Sequence, residues 1–181
     1  MNTTYLIIAA VLVLLVVVVL SLVLSGRSRR SARLKDKFGT EYDNAVQASG
    51  KKNAQKELEE RQKHVETLDI HPLSVSDRGR YLADWAAVQS KFVDQPGQAV
   101  VNADRLIMEV MQLRGYPVSD FEQRAADISV KYPALVSNYR AARAIAVKNE
   151  QKQADTEELR QAMIYYRSLF DELLASEAVV E

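Results

Sequence analysis

The run from Tyr5 to Leu24, YLIIAAVLVLLVVVVLSLVL, is twenty consecutive residues without a charge. No other feature of the chain narrows its options as much. As a helix the run reaches ~30 Å at ~1.5 Å per residue, the thickness of a bilayer's hydrocarbon core. Its valines and isoleucines would make a poor helix in water. In lipid a helix is forced, because the backbone groups have no other partners there. A cleavable signal peptide carries a basic leader, an apolar run of roughly 7–15 residues and a small-residue cleavage site. Here the leader MNTT has no basic side chain, the run is longer, and no A-x-A closes it. Residues 1–26 therefore read as an uncleaved transmembrane anchor.

The flanks of the run set its orientation. Between Arg27 and Lys37 stand six basic residues, Arg27, Arg29, Arg30, Arg33, Lys35 and Lys37, against the single acid Asp36. Basic residues beside a span stay on the cytoplasmic side. The expected topology is N-terminus out, with the C-terminal domain cytoplasmic and the protein in the cell membrane as a single-pass chain. The whole chain has a net charge of zero, so the collar is offset by acid further on. A basic collar followed by a mildly acidic domain suits a membrane surface rather than nucleic acid. The collar has two readings, a topology signal and an attraction for anionic headgroups of ~1 kcal/mol per basic residue. The two are compatible. The six basic residues are the only site residues the sequence offers.

Residues 27–71 are strongly polar and are divided by Gly39 and Gly50. From Lys51 onward Ala54, Leu58, Val65 and Leu68 give only a thin apolar stripe. The expectation is a polar stalk of broken helix, mostly solvated. Pro72 then ends the pattern, and residues 72–181 read as a helical domain with legible punctuation. Ser74 with Asp77 looks like a helix cap. The first helix presents Tyr81, Leu82, Trp85, Val88 and Phe92; Pro96 suits the first turn of the second, with Val100, Ala103, Ile107, Val110 and Met111, and Gly115 closes it. SDFE (Ser119–Glu122) is a capping box for the third, with Phe121, Ala125 and Ile128 inward. Pro133 opens the fourth, with Leu135, Tyr139, Ala142 and Ala146, and DTEE (Asp155–Glu158) caps the fifth. That last helix keeps Leu159, Met163, Tyr166, Phe170 and Leu173 at helical spacing, while Tyr165 falls off the inward stripe. No segment alternates long enough to be a strand. The predicted architecture is all-α: a transmembrane helix, a polar helical stalk, and a compact bundle of about five helices.

Chemistry-bearing patterns are sparse. There is no cysteine, which removes disulfides, thiolate catalysis and cysteine-bound zinc. The two histidines, His64 and His71, lack the i,i+4 spacing of a helical metal pair. SGKK (Ser49–Lys52) fits S-x-x-K by letter but sits in the polar stalk without a K-T-G partner. Acidic clusters at Asp120/Glu122 and Asp155/Glu157/Glu158 lie at helix starts, where carboxylates complement the dipole. The sequence names no catalytic residue, metal or cofactor.

Four blocks carry a resemblance: LKDKFGTEYD (Leu34–Asp43), LDIHPLS (Leu68–Ser74), GYPVSDFEQRAADISV (Gly115–Val130) and LRQAMIYYRSLFDELL (Leu159–Leu174). Through them the chain resembles a family of bacterial single-pass membrane proteins with a cytoplasmic-type helical domain and no assigned activity. The resemblance implies a bacterial setting and transfers no site residue. The expected function is a membrane-tethered protein-interaction or scaffold module rather than an enzyme. Its partners would be the lipid bilayer and either another protein or its own copy. The alternative is an enzyme or small-ligand-binding helical domain with a site between helices.

Overall fold

A computed structural model of the chain describes residues 14–15 and 29–175. The described residues are all-α, without a strand. Helical residues 29–38 form α1. They are followed by α2 (Thr40–Ser49), α3 (Lys51–Glu66), α4 (Val75–Phe92), α5 (Pro96–Leu113), α6 (Phe121–Lys131), α7 (Val136–Glu150) and α8 (Thr156–Ala175). The expected transmembrane run lies outside the described residues except for Leu14 and Leu15, which are helical and exposed. No helix among the described residues is long and apolar enough to cross a membrane.

The bundle of α4 to α8 forms where the apolar spacing put it. α4 packs on α5, α5 on α8, and α8 along α7, with α6 joined to α7. Trp85, Val100, Ala103, Ile107, Val110, Met111, Ala125, Ile128, Tyr139, Ala142, Tyr166 and Phe170 are buried in one continuous core. Trp85 of α4 stacks on Phe170 of α8 with ring centroids 4.6 Å apart. Two expectations shift. Leu82, assigned to the core face of α4, is 42% exposed, whereas Tyr165, read as off-stripe, is half-buried against the core.

The caps explain why the helices start where they do. Ser74 accepts from the Asp77 backbone N–H at 3.0 Å. Asp155 and Glu158 form a reciprocal box: Glu158 N–H donates to Asp155 Oδ1 at 2.8 Å, and Asp155 N–H donates to Glu158 Oε2 at 3.1 Å. At α6 the cap is Asp120, one residue later than the box placed it; it accepts from Gln123 N–H at 2.8 Å. The helix after Pro133 begins three residues on, at Val136. Gly115 closes α5 with φ +91°, and a Cβ there would fall 2.1 Å from the Asp69 carbonyl oxygen. Only glycine combines that left-handed backbone with so close a neighbour.

The stalk expectation needs correcting. Residues 29–66 are not a solvated rod. Leu34 and Phe38 of α1, Tyr42 and Ala45 of α2, and Ala54 and Leu58 of α3 form a second buried core, with Val46 and Val130 of α6 packed against it. The helix breaks fall at Gly39 and Gly50 as the sequence indicated. At each break the chain folds back. Three helices with two buried apolar residues apiece thus converge on one centre, and α3 docks on α6.

Candidate functional site

Three surfaces and one buried cluster are candidates, and the collar comes first. Arg27 lies outside the described residues. The other five are on α1, whose inner face, Leu34 and Phe38, is committed to the second core. Helix geometry then sorts the charges. Arg29, Arg33 and Lys37, at spacings of four, share one exposed face. Arg30 and Lys35 are turned elsewhere and engaged: Arg30 grips Glu59 of α3 through Nε and Nη2, and Lys35 Nζ reaches Asp43 Oδ1 at 3.1 Å. Two of the six predicted residues are therefore used within the fold. Three share a basic stripe facing solvent.

The second surface is a groove of about 350 Å³ between α4 and α8, lined by Gln89, Phe92, Met163, Ile164, Arg167 and Asp171, among others. The groove exists because α4 and α8 both pack on α5 and diverge from each other. The Trp85–Phe170 stack bridges them. Arg167 lies over both rings, 5.5 Å from the Trp85 centroid and 6.0 Å from that of Phe170, and pairs with Asp171 at 2.7 Å. Such a guanidinium keeps its charge in water while its flat face covers the aromatics. On the rim Ile164 is 43% exposed.

The third surface is a cleft of about 450 Å³ between α3 and α6, lined by Glu57, Glu60, Arg61, His64, Asp120, Glu122 and Gln123. Behind its wall lies the buried Asp127. Its Oδ1 accepts from Gln123 Nε2 at 2.8 Å and lies 3.7 Å from His64 Nε2, while its Oδ2 has no hydrogen-bond partner. Burial raises the Asp127 carboxyl above the ordinary range, against the opposing pull of Gln123, His64 and Arg61. Among the described residues no group of three or more His, Cys, Asp or Glu side chains is arranged to hold a metal ion. His71 is exposed, with Nδ1 3.0 Å from the Asp69 carbonyl oxygen. Ser49 ends α2 and donates to the Ala45 carbonyl at 3.1 Å, a helix-end role with no base beside it.

No family model, curated protein or solved structure matches this chain.

Between the two cores sits a buried ionic cluster whose members form no motif along the chain. Glu41 of α2 is 2% exposed. It accepts from Arg61 of α3 at 2.8 Å and from Arg140 of α7 at 3.0 and 2.9 Å. Arg61 also donates to Ser129 of α6 at 3.2 Å and pairs with Glu57. Burial pushes the Glu41 carboxyl up, but the hydrogen bonds from Arg140 and Arg61 together outweigh it and leave it below its usual value. This cluster clasps α1–α3 to the bundle. Two further arginines are buried. Arg114 donates to the Leu173 carbonyl at 2.8 Å, near the end of α8, where a cation meets the negative end of the helix dipole. Arg124 donates to the Val118 carbonyl at 2.6 Å, in the loop before α6, and to the Tyr139 hydroxyl at 3.2 Å. These side chains hold the fold together, and no sequence motif marks them.

Proposed function

We propose that the chain is a membrane-tethered protein-interaction module. The Tyr5–Leu24 segment anchors it, the basic face of α1 rests on the cytoplasmic headgroups, and the α4–α8 face meets a protein partner. The observation that carries the reading is the α4–α8 groove. Phe92, Met163 and Ile164 give it an apolar lining among Gln89, Arg160, Arg167, Ser168 and Asp171, and Ile164 is exposed on its rim, a mixture of apolar and polar side chains that suits an interaction surface. The fold adds to the tether reading. Arg29, Arg33 and Lys37 form one line along α1, so all three can approach a surface within a Debye length of ~8 Å. The acidic α3–α6 cleft is where the alternative reading, a small-ligand site, would be sought.

Two measurements test the reading. A phosphatase fused after Glu181 should be inactive and a fluorescent protein at the same place bright; phosphatase activity there would refute the cytoplasmic placement. A photoreactive phenylalanine at Ile164 in the full chain should give a discrete covalent adduct in native membranes. The same residue at Arg105, exposed on α5, should give none. Absence of adduct at Ile164 would refute the interaction face.

A further inference from the structure

Beside the α3–α6 cleft the fold keeps a carboxylate that it does not satisfy. Asp127 is fully buried, and its Oδ2 has no hydrogen-bond partner. A buried acceptor left unpaired costs free energy, and more so when it is charged. The carboxylate is nevertheless reached from the cleft. The two side chains that approach its Oδ1 are Gln123, at 2.8 Å, and His64, at 3.7 Å. Both line the cleft and both are exposed. Gln123 is hydrogen-bonded there. The His64 ring stands beyond hydrogen-bond distance, so it is free to turn aside and open the way to Asp127.

The charges around the cleft do not balance. Arg61, which lines it, is shared between Glu41 and Glu57, and Arg140 pairs with Glu41 as well, so these two cations match these two carboxylates. Asp127, Glu60, Asp120 and Glu122 are left over. Against these four stand the exposed Lys56, 3.6 Å from Glu60, and the His64 ring. A metal ion needs several donors converging on one point, and no His, Cys, Asp or Glu group among the described residues is so arranged. Here the lining carboxylates are spread over two helices, with Glu60 on α3 and Asp120 and Glu122 at the start of α6. Spread acceptors suit a cation that is itself extended. The unpartnered Oδ2 calls for a donor as well as a charge. An alkylammonium supplies both, with three N–H donors on one unit charge. The cleft, at about 450 Å³, has the volume of a small-molecule site, ~300–1,000 Å³.

We propose that the α3–α6 cleft binds a linear organic polycation, with one primary ammonium donating to Asp127 Oδ2 and further ammonium groups lying along Glu60, Asp120 and Glu122. Free polyamines and the lysines of a basic peptide both present this chemistry. The site is separate from the α4–α8 face and does not depend on what that face meets. Its two walls belong to α3 and α6, so an occupied cleft ties α1–α3 more firmly to the bundle. A ligand that binds the docked state and not the open one shifts the balance toward docking.

Calorimetric titration of the full chain in a neutral detergent at low salt tests this, with spermidine as the free polyamine and a blocked tetralysine peptide as the second source. At least one of them should bind at a single site per chain, and should lose about ten-fold in affinity on Asp127→Asn, the worth of one charge-assisted hydrogen bond. The probe that loses more identifies the source. A second pair of probes separates that bond from general attraction to an acidic surface. 1,6-Diaminohexane and hexamethonium share a chain length and a charge, but only the diamine has N–H donors. The diamine should bind more tightly to the wild type by a similar factor, and Asp127→Asn should erase the difference. Glu122→Gln, on the exposed rim, should weaken the two alike. Hydrogen exchange of the α3 and α6 amides should slow when the tighter probe is added to the wild type, and should not respond in Asp127→Asn. Binding by neither spermidine nor the peptide overturns the proposal. So does equal binding of the diamine and hexamethonium, or an Asp127→Asn variant that binds as the wild type does.

Discussion

Replacing Glu41 by Gln should loosen α1–α3 from the bundle without unfolding α4–α8. Removing one member of a buried ion pair typically costs ~3–5 kcal/mol, because the remaining charge is stranded. Here the stranding is partial. Arg61 keeps Glu57, and the Arg140 side chain is 32% exposed and can turn to water. The amide oxygen of Gln can still accept one bond, so the cost falls to about 2–3 kcal/mol by the same reasoning. The apolar part of the junction is small: against the second core the bundle supplies Val130. The loss should therefore appear as local opening. At a tenfold change per ~1.4 kcal/mol, the slowest amides of α2 and α3 should exchange roughly 30- to 150-fold faster, while those of α5 and α8 stay as they were. The pH dependence has a definite sign. Glu41 has a lowered value in the fold, so its contribution is present above the ordinary carboxylate value and is lost as pH falls through the folded one. Wild-type protection of α2 and α3 should thus weaken below about pH 4, and the variant should lack that acid-labile part. Hydrogen exchange read by mass spectrometry measures both. Unchanged α2 and α3 exchange, or an equal loss across α5 and α8, would refute the clasp.

Trp85→Ala removes a fully buried side chain and its stack on Phe170. It should cost ~3–5 kcal/mol in denaturant titrations, and a loss below ~1 kcal/mol would show that the site collapses without penalty. Asp127→Asn should raise the melting temperature at pH 7. The Asp127 value is raised in the fold, so its ionised form costs stability; that cost is absent below the ordinary aspartate value, accrues as pH rises from there, and is complete above the folded one. The gain should shrink toward pH 4, and a variant melting lower than wild type at both pH values would contradict it. In vesicle binding, Arg33→Gln with Lys37→Gln should weaken attachment to anionic lipid more than Lys35→Gln, since Lys35 is already engaged with Asp43. Equal effects would show that the α1 face is not what meets the lipid.

By itself the sequence determined the class and most of the inventory. Five helices after Pro72, their caps at Ser74 and Asp155, and the core stripes of α5 and α8 are local properties. They are set by spacing and by side chains bonding to backbone a few residues away, so they can be read along the chain. The breaks at Gly39 and Gly50 were legible for the same reason. The fate of the segment between them was not. Leu34, Phe38, Tyr42, Ala45, Ala54 and Leu58 are too sparse on each helix to predict a core, and only the folding back of three helices brings them together. The split of the basic collar had the same origin: Arg30 and Lys35 are engaged by Glu59 and Asp43, residues eight or more positions away. The Glu41–Arg61–Arg140 clasp spans 99 residues between its ends, and no periodicity reports such a pairing. Along α4 the spacing groups Leu82 with Tyr81, Trp85 and Val88, yet Leu82 is 42% exposed, because one helix cannot say which part of its apolar surface its neighbours will cover. That choice belongs to tertiary packing: α5 and α8 cover the side that holds Trp85, and Leu82 is left facing water.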